Sequence, residues 1–205
     1  MLSDTLKLKT EQIIRNRLWR HSISVDRENS TAGEVGDLME VLIDSLRDRA
    51  EGRLNAYVIL PEEAVDSEFF RAVEEAECPR FPLTGSFGGW EEGGSSAPMV
   101  FLLADKRLVR RYAECFWGRD RFAVFFTTLE PLEFFSMTRD LVLLRREGRK
   151  LIWAPYWNPP SFERLLTRSD ARQTDRIFRY VHYYLAEGDG GEAVRVYCRS
   201  KDEDQ

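Results

Sequence analysis

Three short, continuous apolar runs between residues 54 and 127 constrain the fold of this chain most strongly. They are LNAYVIL (54–60), MVFLLA (99–104) and FAVFFT (122–127). Runs of this length, rich in β-branched and aromatic residues, are typical of strands that are buried on both faces. After the first run, Val65, Phe69 and Val73 recur at helical spacing, and a second helical stripe follows the next run. The pattern predicts an α/β domain with a mixed, partly parallel sheet flanked by helices.

The segments on either side of this region predict further helices. Residues 3–20 and the stretch from Asp37 onward carry apolar residues at helical spacing, separated by a polar linker, so we expect a helical N-terminal arm over residues 1–50. The α/β domain then occupies residues 54–200. A short helix is predicted near Pro160 and a longer one from about Asp170 to Ala186, which gives a helix-rich lobe near residues 160–186. The run EAVRVYCRS (192–200) predicts a last edge strand.

Size, charge and hydropathy limit the classes of partner. The chain has 205 residues, which suits one domain, and 43% of them are hydrophobic, enough for a core. A net charge of −5 argues against nucleic acid or an anionic membrane as the main partner. No apolar run approaches the roughly 18 to 20 residues that span a bilayer, and the first residues lack a signal-peptide pattern. We therefore expect a cytoplasmic protein.

The residues that usually carry chemistry are scattered. Cys78, Cys115 and Cys198 form no CxxC pair, and His21 and His182 lie at opposite ends of the chain, so we expect reduced cysteines and no metal site. Cys115 falls on the apolar stripe of a predicted helix, where a buried small hydrophobe is expected. His182 stands among tyrosines, which favours a partly buried packing role over a catalytic base.

The glycine-rich loop at residues 84–97 is the segment most open to a catalytic reading. Its sequence, GSFGGWEEGG, matches no phosphate-binding motif, and Glu91 and Glu92 would repel a phosphate. The other carboxylate pairs are adjacent in sequence and therefore point in different directions on a helix. We accordingly predict no catalytic residues, no cofactor and no enzyme activity. The alternative is an enzyme whose site combines this loop with the turn at residues 153–158.

The stretch RREGRKLIWAPYWNPPSFERLL (145–166) is the most distinctive in the chain. Apolar runs at residues 140–146 and 150–155 flank a short turn, which predicts an antiparallel hairpin with a basic tip. Asn158-Pro159-Pro160 then turns the chain into a helix. The basic tip fits a solvated turn, a docking patch for an acidic partner or a contact with a nucleic-acid strand. The neighbouring aromatic rings fit a core junction or a protein-binding surface, and their surroundings are too poor in polar side chains for a sugar platform.

The order of these segments resembles a known family. LNAYVIL, FPLTG, APMVFLL, AVFFTTLEPLEFF and RDLVLLRREGRKLIWAPYWNPPSFERLL follow one another as in the effector-adaptor (chaperone) domain of bacterial type VI secretion systems. The resemblance covers roughly residues 54–185. In that family a Tyr-Asp-Pro-like turn follows a hairpin with basic residues and glycine, as Tyr156-Trp157-Asn158-Pro159 follows Gly148 here. Ala154 and Pro155 stand where the family has an arginine, and Asn158 stands for its aspartate, which suggests a divergent branch with a different cargo.

The resemblance implies a non-enzymatic adaptor that acts in the cytoplasm. Such a protein binds a secreted effector and helps to mount it on the valine-glycine-repeat spike protein. Because Trp, Tyr and Arg dominate the energetic centres of interfaces, five residues are candidate partner-binding anchors. These are Trp90, Arg149, Trp153, Tyr156 and Trp157. A core role stays open for each of them, and for Trp90 the poor surroundings favour contact with a partner. The alternative function is another protein-binding module, such as an immunity protein that neutralises a toxin.

Overall fold

The computed structural model describes residues 8–13, 18–25, 32–49, 54–61, 64–83, 98–145, 151–153 and 158–199. The strands in these residues are β1 Leu8–Ile13, β2 Leu18–Ser24, β3 Asn55–Pro61, β4 Arg80–Pro82, β5 Pro98–Leu102, β6 Ala123–Thr127, β7 Leu143–Arg145, β8 Leu151–Trp153, β9 Tyr183–Gly188 and β10 Ala193–Arg199. The helices are α1 Ala32–Arg49, α2 Ser67–Glu75, α3 Lys106–Phe116, α4 Pro131–Val142, α5 Pro159–Arg168 and α6 Ala171–Phe178.

Eight of these strands form one sheet in the order β1-β2-β10-β9-β6-β3-β5-β4, and each described pairing is antiparallel. The predicted partly parallel sheet is therefore wrong. Helix α3 does connect two strands that run in the same direction, β5 and β6, but β3 lies between them and runs antiparallel to both. Helix α2 likewise connects β3 to β4 across β5. In both of these units the helix brings the second strand into the same direction as the first, but another strand lies between the two.

The four strands β6-β3-β5-β4, with α2 and α3, have the order of the β-α-β-β-α-β, or ferredoxin-like, unit. The strands β9, β10, β2 and β1 extend this unit on the side of β6. This architecture is shared by proteins of many functions, so it describes the scaffold and leaves the function to be argued from particular side chains.

The N-terminal segment is corrected by the structure. Residues 8–13 and 18–24 are strands, so the helix predicted over residues 3–20 is wrong, and so is the purely helical arm over residues 1–50. Strand β2 pairs with β10 along its whole length, so β10 is an internal strand and not the predicted edge. The second predicted helix is confirmed as α1, but it begins at Ala32, inside the segment predicted as a linker. Pairing with a distant strand outweighs the weak local helical pattern here.

The C-terminal lobe is partly as predicted. Helices α5 and α6 confirm the helical part near residues 160–178. The helix predicted to run to Ala186 is wrong beyond Phe178, because Tyr183–Gly188 form β9 in the interior of the sheet. The aromatic residues in YYLA favour a strand as much as a helix, and the partners on both sides decide between them.

The sheet separates two hydrophobic cores because side chains alternate between its faces along each strand. In β3, Ala56, Val58 and Leu60 pack with α1, α2 and α3, whereas Tyr57 and Ile59 pack with α4, α5 and α6. The result is a three-layer arrangement of helices on both sides of an antiparallel sheet. The predicted strands β3, β5 and β6 and the predicted helices α2 and α3 are confirmed, with Phe69 and Tyr112 fully buried.

Candidate interaction surface

The hairpin predicted around the basic turn is confirmed as a separate two-stranded ribbon, although residues 140–142, predicted to belong to its first strand, are the end of α4. Strands β7 and β8 pair antiparallel, with Leu143 opposite Trp153 and Arg145 opposite Leu151. Within the described residues neither strand joins the eight-stranded sheet. The ribbon follows α4 directly and leads, after four intervening residues, to Asn158 at the start of α5.

The structure locates one of the five predicted anchors. Trp153 is the last residue of β8. The other four, Trp90, Arg149, Tyr156 and Trp157, lie outside the described residues. Of the aromatic turn (residues 153–158), the structure describes the two ends, which are Trp153 in β8 and Asn158 at the start of α5.

Asn158 holds the end of the turn at α5. Its side-chain Oδ1 accepts a hydrogen bond from the Ser161 backbone N–H at 2.9 Å, and Pro159 and Pro160 follow at the first helical positions. This confirms the predicted turn into a helix, with the residue types that favour a helix start. The side-chain amide Nδ2 also donates to the Asp120 carbonyl oxygen at 3.3 Å. An aspartate could make the cap but could not donate to that carbonyl.

The turn that carries Asp120 is held by a buried carboxylate. Glu187, in β9, is only 2% exposed and accepts hydrogen bonds from the backbone N–H groups of Gly118 (2.6 Å), Arg121 (2.5 Å) and Phe122 (3.1 Å). Burial raises the pKa of Glu187, and the three hydrogen bonds oppose this shift by stabilising the ionised form. The α3–β6 turn is thus fixed to the middle of the sheet.

A second turn lies against the first. A Cβ atom added at Gly191, which has a φ of +98°, would lie 3.1 Å from the Gly118 Cα atom and 3.1 Å from the Trp117 Nε1 atom. Only glycine adopts this backbone conformation readily and allows so close an approach. The β9–β10 turn, the α3–β6 turn and the start of α5 therefore meet at one end of the sheet.

A charged cluster fixes α5 to the sheet. Glu163 of α5 accepts hydrogen bonds from Arg20 of β2 at 2.5 Å and from Arg195 of β10. The three side chains are 17 to 23% exposed. The Tyr197 hydroxyl bonds to the same carboxylate, and burial above all raises the pKa of Tyr197. The cluster connects β2, β10 and α5, the helix that follows the aromatic turn.

Sequence reasoning missed both carboxylates. Glu187 gave one signal, since it is a single acidic residue at the end of the apolar run YYLA. Glu163 and its two arginines gave none, because Arg20 was assigned to a helix and Arg195 to an edge strand. These contacts join residues more than 30 positions apart, and local patterns do not report them.

The other candidates for chemistry are placed as follows. Cys115 is buried in α3, as predicted, and burial raises its pKa to about 11, so the thiol is neutral at physiological pH. His182 is exposed, which differs from the predicted packing role. In the part of the chain that the structure describes, no three His, Cys, Asp or Glu side chains are grouped to hold a metal ion. No helix among the described residues has the length and apolarity to cross a bilayer.

Comparisons of the chain with models of known protein families, with curated proteins and with solved structures gave no match.

Proposed function

We propose that the protein is a non-enzymatic adaptor of a type VI secretion system, which binds a secreted effector in the cytoplasm and promotes its loading onto the valine-glycine-repeat spike protein. The observation that carries the proposal is the ribbon β7–β8. In the described residues it pairs with no strand of the main sheet, and the sequence gives it a basic tip and an aromatic end. Such a ribbon presents side chains to a partner in a way that an internal strand does not.

The anchoring of α5, the helix that follows the ribbon in the chain, supports the same proposal. Asn158 is bonded to the α3–β6 turn, and Glu187 fixes that turn to β9. Glu163 fixes the following helix to β2 and β10. A helix that is held in place before binding gives an adjoining contact surface a fixed attachment, which reduces the conformational entropy lost when a partner binds. The order of segments that resembles the adaptor family is the second line of support, and it includes this ribbon.

The test is recovery of partners from the secreting bacterium. The tagged protein is expressed from its own locus, captured, and analysed by quantitative mass spectrometry. We expect one toxin-like effector and a spike protein to be recovered together. The double variant Arg149→Glu, Trp157→Ala should reduce effector recovery at least tenfold, because anchor residues contribute about 2 kcal/mol or more each. The control, Arg172→Glu, reverses an exposed charge on α6 and should leave recovery unchanged.

Two outcomes would contradict the adaptor. One is the absence of both partners together with normal effector delivery from a deletion strain. The other is direct inhibition of the purified toxin by the purified protein, which would identify an immunity protein. The thermal midpoint of both variants should stay near that of the wild type, which separates loss of binding from loss of folding.

A further inference from the structure

The two ends of the eight-stranded sheet differ in how their outer edges are protected. Strand β4, at one end, has three residues, and neither Pro82 within it nor Pro79 just before it has a backbone N–H to donate. Strand β1, at the other end, has six residues with no proline among them, and each is paired with a residue of β2. In the described part of the chain no strand pairs with the outer edge of β1. Proteins usually shorten, block or cover such an edge, because its unpaired backbone groups bind other strands.

The hydrogen bonds of β2 show which backbone groups of β1 point outward. Val25 directly follows β2, and its N–H donates to the Glu192 carbonyl oxygen at 2.8 Å, on the side of β10. Successive residues of a strand direct their N–H and C=O groups to opposite sides, so Arg20 directs its backbone groups toward β1. Its partner in β1, Glu11, therefore bonds to β2. By the same alternation, the backbone groups that point away from β2 belong to Leu8, Thr10 and Gln12.

The outward backbone groups of β1 select the kind of partner that fits them. The N–H and C=O groups of Leu8, Thr10 and Gln12 repeat at every second residue, about 6.6 Å apart. Another extended backbone offers acceptors and donors at the same repeat, whereas a helix has already used its own backbone groups. An added strand is therefore the occupant that satisfies the whole edge.

We propose that an extended segment of another polypeptide pairs with the outer edge of β1 and adds a further strand to the sheet. A second copy of this chain fits less well. Two folded copies that met edge to edge would touch along a strip about 20 Å long and one strand spacing, about 5 Å, wide. A stable interface needs about 800 Å² from each partner. An extended segment gains the same backbone hydrogen bonds without two rigid domains having to fit together.

This edge is a second contact surface, and it stands or falls independently of the adaptor proposal. Strand β1 lies at one end of the main sheet, whereas the ribbon β7–β8 is a separate sheet in the described residues. Failure of the strand test would leave the recovery of effector and spike through the ribbon untouched.

The test is amide hydrogen exchange of the isotope-labelled full chain, measured by NMR with and without the peptide Lys-Thr-Val-Thr-Val-Glu. In the free chain the amides of Leu8, Thr10 and Gln12 should exchange quickly, and that of Glu11 slowly. Saturating peptide should slow the three outward amides at least tenfold. The matched peptide is N-methylated at its two central residues, which blocks both of its edges, and it should slow none of them.

Two proline variants separate the outer edge of β1 from its inner one. Thr10→Pro removes an outward N–H and leaves the hydrogen bonds to β2 in place, so we expect loss of peptide binding with a thermal midpoint near that of the wild type. Glu11→Pro removes an N–H that bonds to β2, so the thermal midpoint should fall. Thr10→Ala keeps the backbone N–H and should bind the peptide as the wild type does.

The proposal is overturned if the unmodified peptide protects none of the three amides, if the N-methylated peptide protects them equally, or if Thr10→Pro binds as well as Thr10→Ala. Slow exchange of the outward amides in the free chain at every concentration would mean that this chain already covers its own edge. Protection that rises with protein concentration alone would assign the edge to a second copy. Either result overturns the proposal, and neither depends on a variant that has to fold.

Discussion

Single side chains set the ends of several helices. Asp66 is the N-terminal cap of α2. Its Oδ1 accepts hydrogen bonds from the backbone N–H groups of Glu68 at 2.8 Å and Phe69 at 3.4 Å. These bonds, that from Glu68 above all, lower the pKa of Asp66. The ionised carboxylate of Asp66 is therefore stabilised in the folded protein relative to the unfolded chain.

Replacing Asp66 by alanine should reduce the free energy of unfolding by about 1 kcal/mol at pH 7, the usual contribution of such a cap. Because the folded pKa is lowered, this contribution is complete above the unfolded pKa of about 3.9 and is lost as the pH falls through the folded pKa. Urea unfolding at pH 7 and at stepwise lower pH measures both effects.

The matched control is Asp66→Asn, which keeps a capping oxygen but does not titrate. Its stability should lie close to that of the wild type at pH 7 and should exceed it at the lowest pH. A constant difference between the two proteins over the whole range would show that the Asp66 charge has no part in the cap.

Asn158 is the corresponding residue for α5 and the aromatic turn. Asn158→Ala should lower the free energy of unfolding by about 1 to 2 kcal/mol, because the cap and the bond to the Asp120 carbonyl are both lost. Asn158→Asp keeps the cap, loses the bond and brings a carboxylate toward a carbonyl oxygen, so we expect an intermediate loss. Chemical unfolding of the three proteins checks this order. Equal stability of Asn158→Asp and the wild type would mean that the amide donor contributes nothing.

At the level of the elements, the arginine–glutamate cluster depends on a glycine in β9. A Cβ atom at Gly188 would lie 2.5 Å from the Arg195 Nε atom and 2.8 Å from its Cζ atom. The Arg195 side chain thus lies over Gly188, which has no side chain to obstruct it, and its guanidinium group donates to Glu163. The position of α5 over the sheet therefore depends on residues of three different strands.

Gly188→Ala should displace Arg195 from Glu163 and lower the free energy of unfolding by about 2 kcal/mol. This value is below the 3 to 5 kcal/mol of fully buried pairs because the cluster is partly exposed. In an Arg195→Met background the same change should cost much less, since the guanidinium is already gone. A double-mutant cycle measured by urea unfolding gives the coupling. Additive losses would show that the alanine disturbs β9 itself and not the arginine.

At the level of the whole molecule, local sequence patterns predict many of the helices and strands, whereas pairing between distant strands determines how they are arranged. The buried runs at β3, β5 and β6 were found because they are continuously apolar. Their antiparallel neighbours were missed because helix-linked strands were assumed to lie side by side. The sequence predicts helices where β1, β2 and β9 lie, since their apolar residues satisfy both periods. Pairing with neighbouring strands of the sheet makes them strands.

The candidate interaction surface likewise combines local features, which the sequence predicts, with long-range contacts, which it does not. The hairpin and the turn at Asn158 were predicted because turn residues act within a few positions. The carboxylates that hold this region in place, Glu163 and Glu187, bond to residues from 32 to 143 positions away in sequence. The partners of Glu163 are Arg20 and Arg195, and those of Glu187 are the backbone N–H groups of Gly118, Arg121 and Phe122. No local sequence pattern reports contacts over such distances along the chain.

The pairing of β2 with β10 makes the N-terminal strands part of the main sheet, and truncation tests this directly. Deleting residues 1–25 removes Leu18, Ile23 and Val25 from the two cores and takes Arg20 from Glu163. Burial of each apolar side chain contributes about 1.5 to 3 kcal/mol, so the loss approaches the 5 to 15 kcal/mol that hold a typical domain.

We expect the truncated chain to unfold at a much lower temperature and to associate through β10, whose backbone hydrogen-bonding groups become an open edge. Circular dichroism on heating measures the first effect, and size-exclusion chromatography measures the second. Deletion of residues 201–205, which removes none of the described residues, is the control and should change neither. If residues 1–25 were a separate arm, the truncated chain would stay monomeric with an unchanged thermal midpoint, because the sheet would then end at β10 without them.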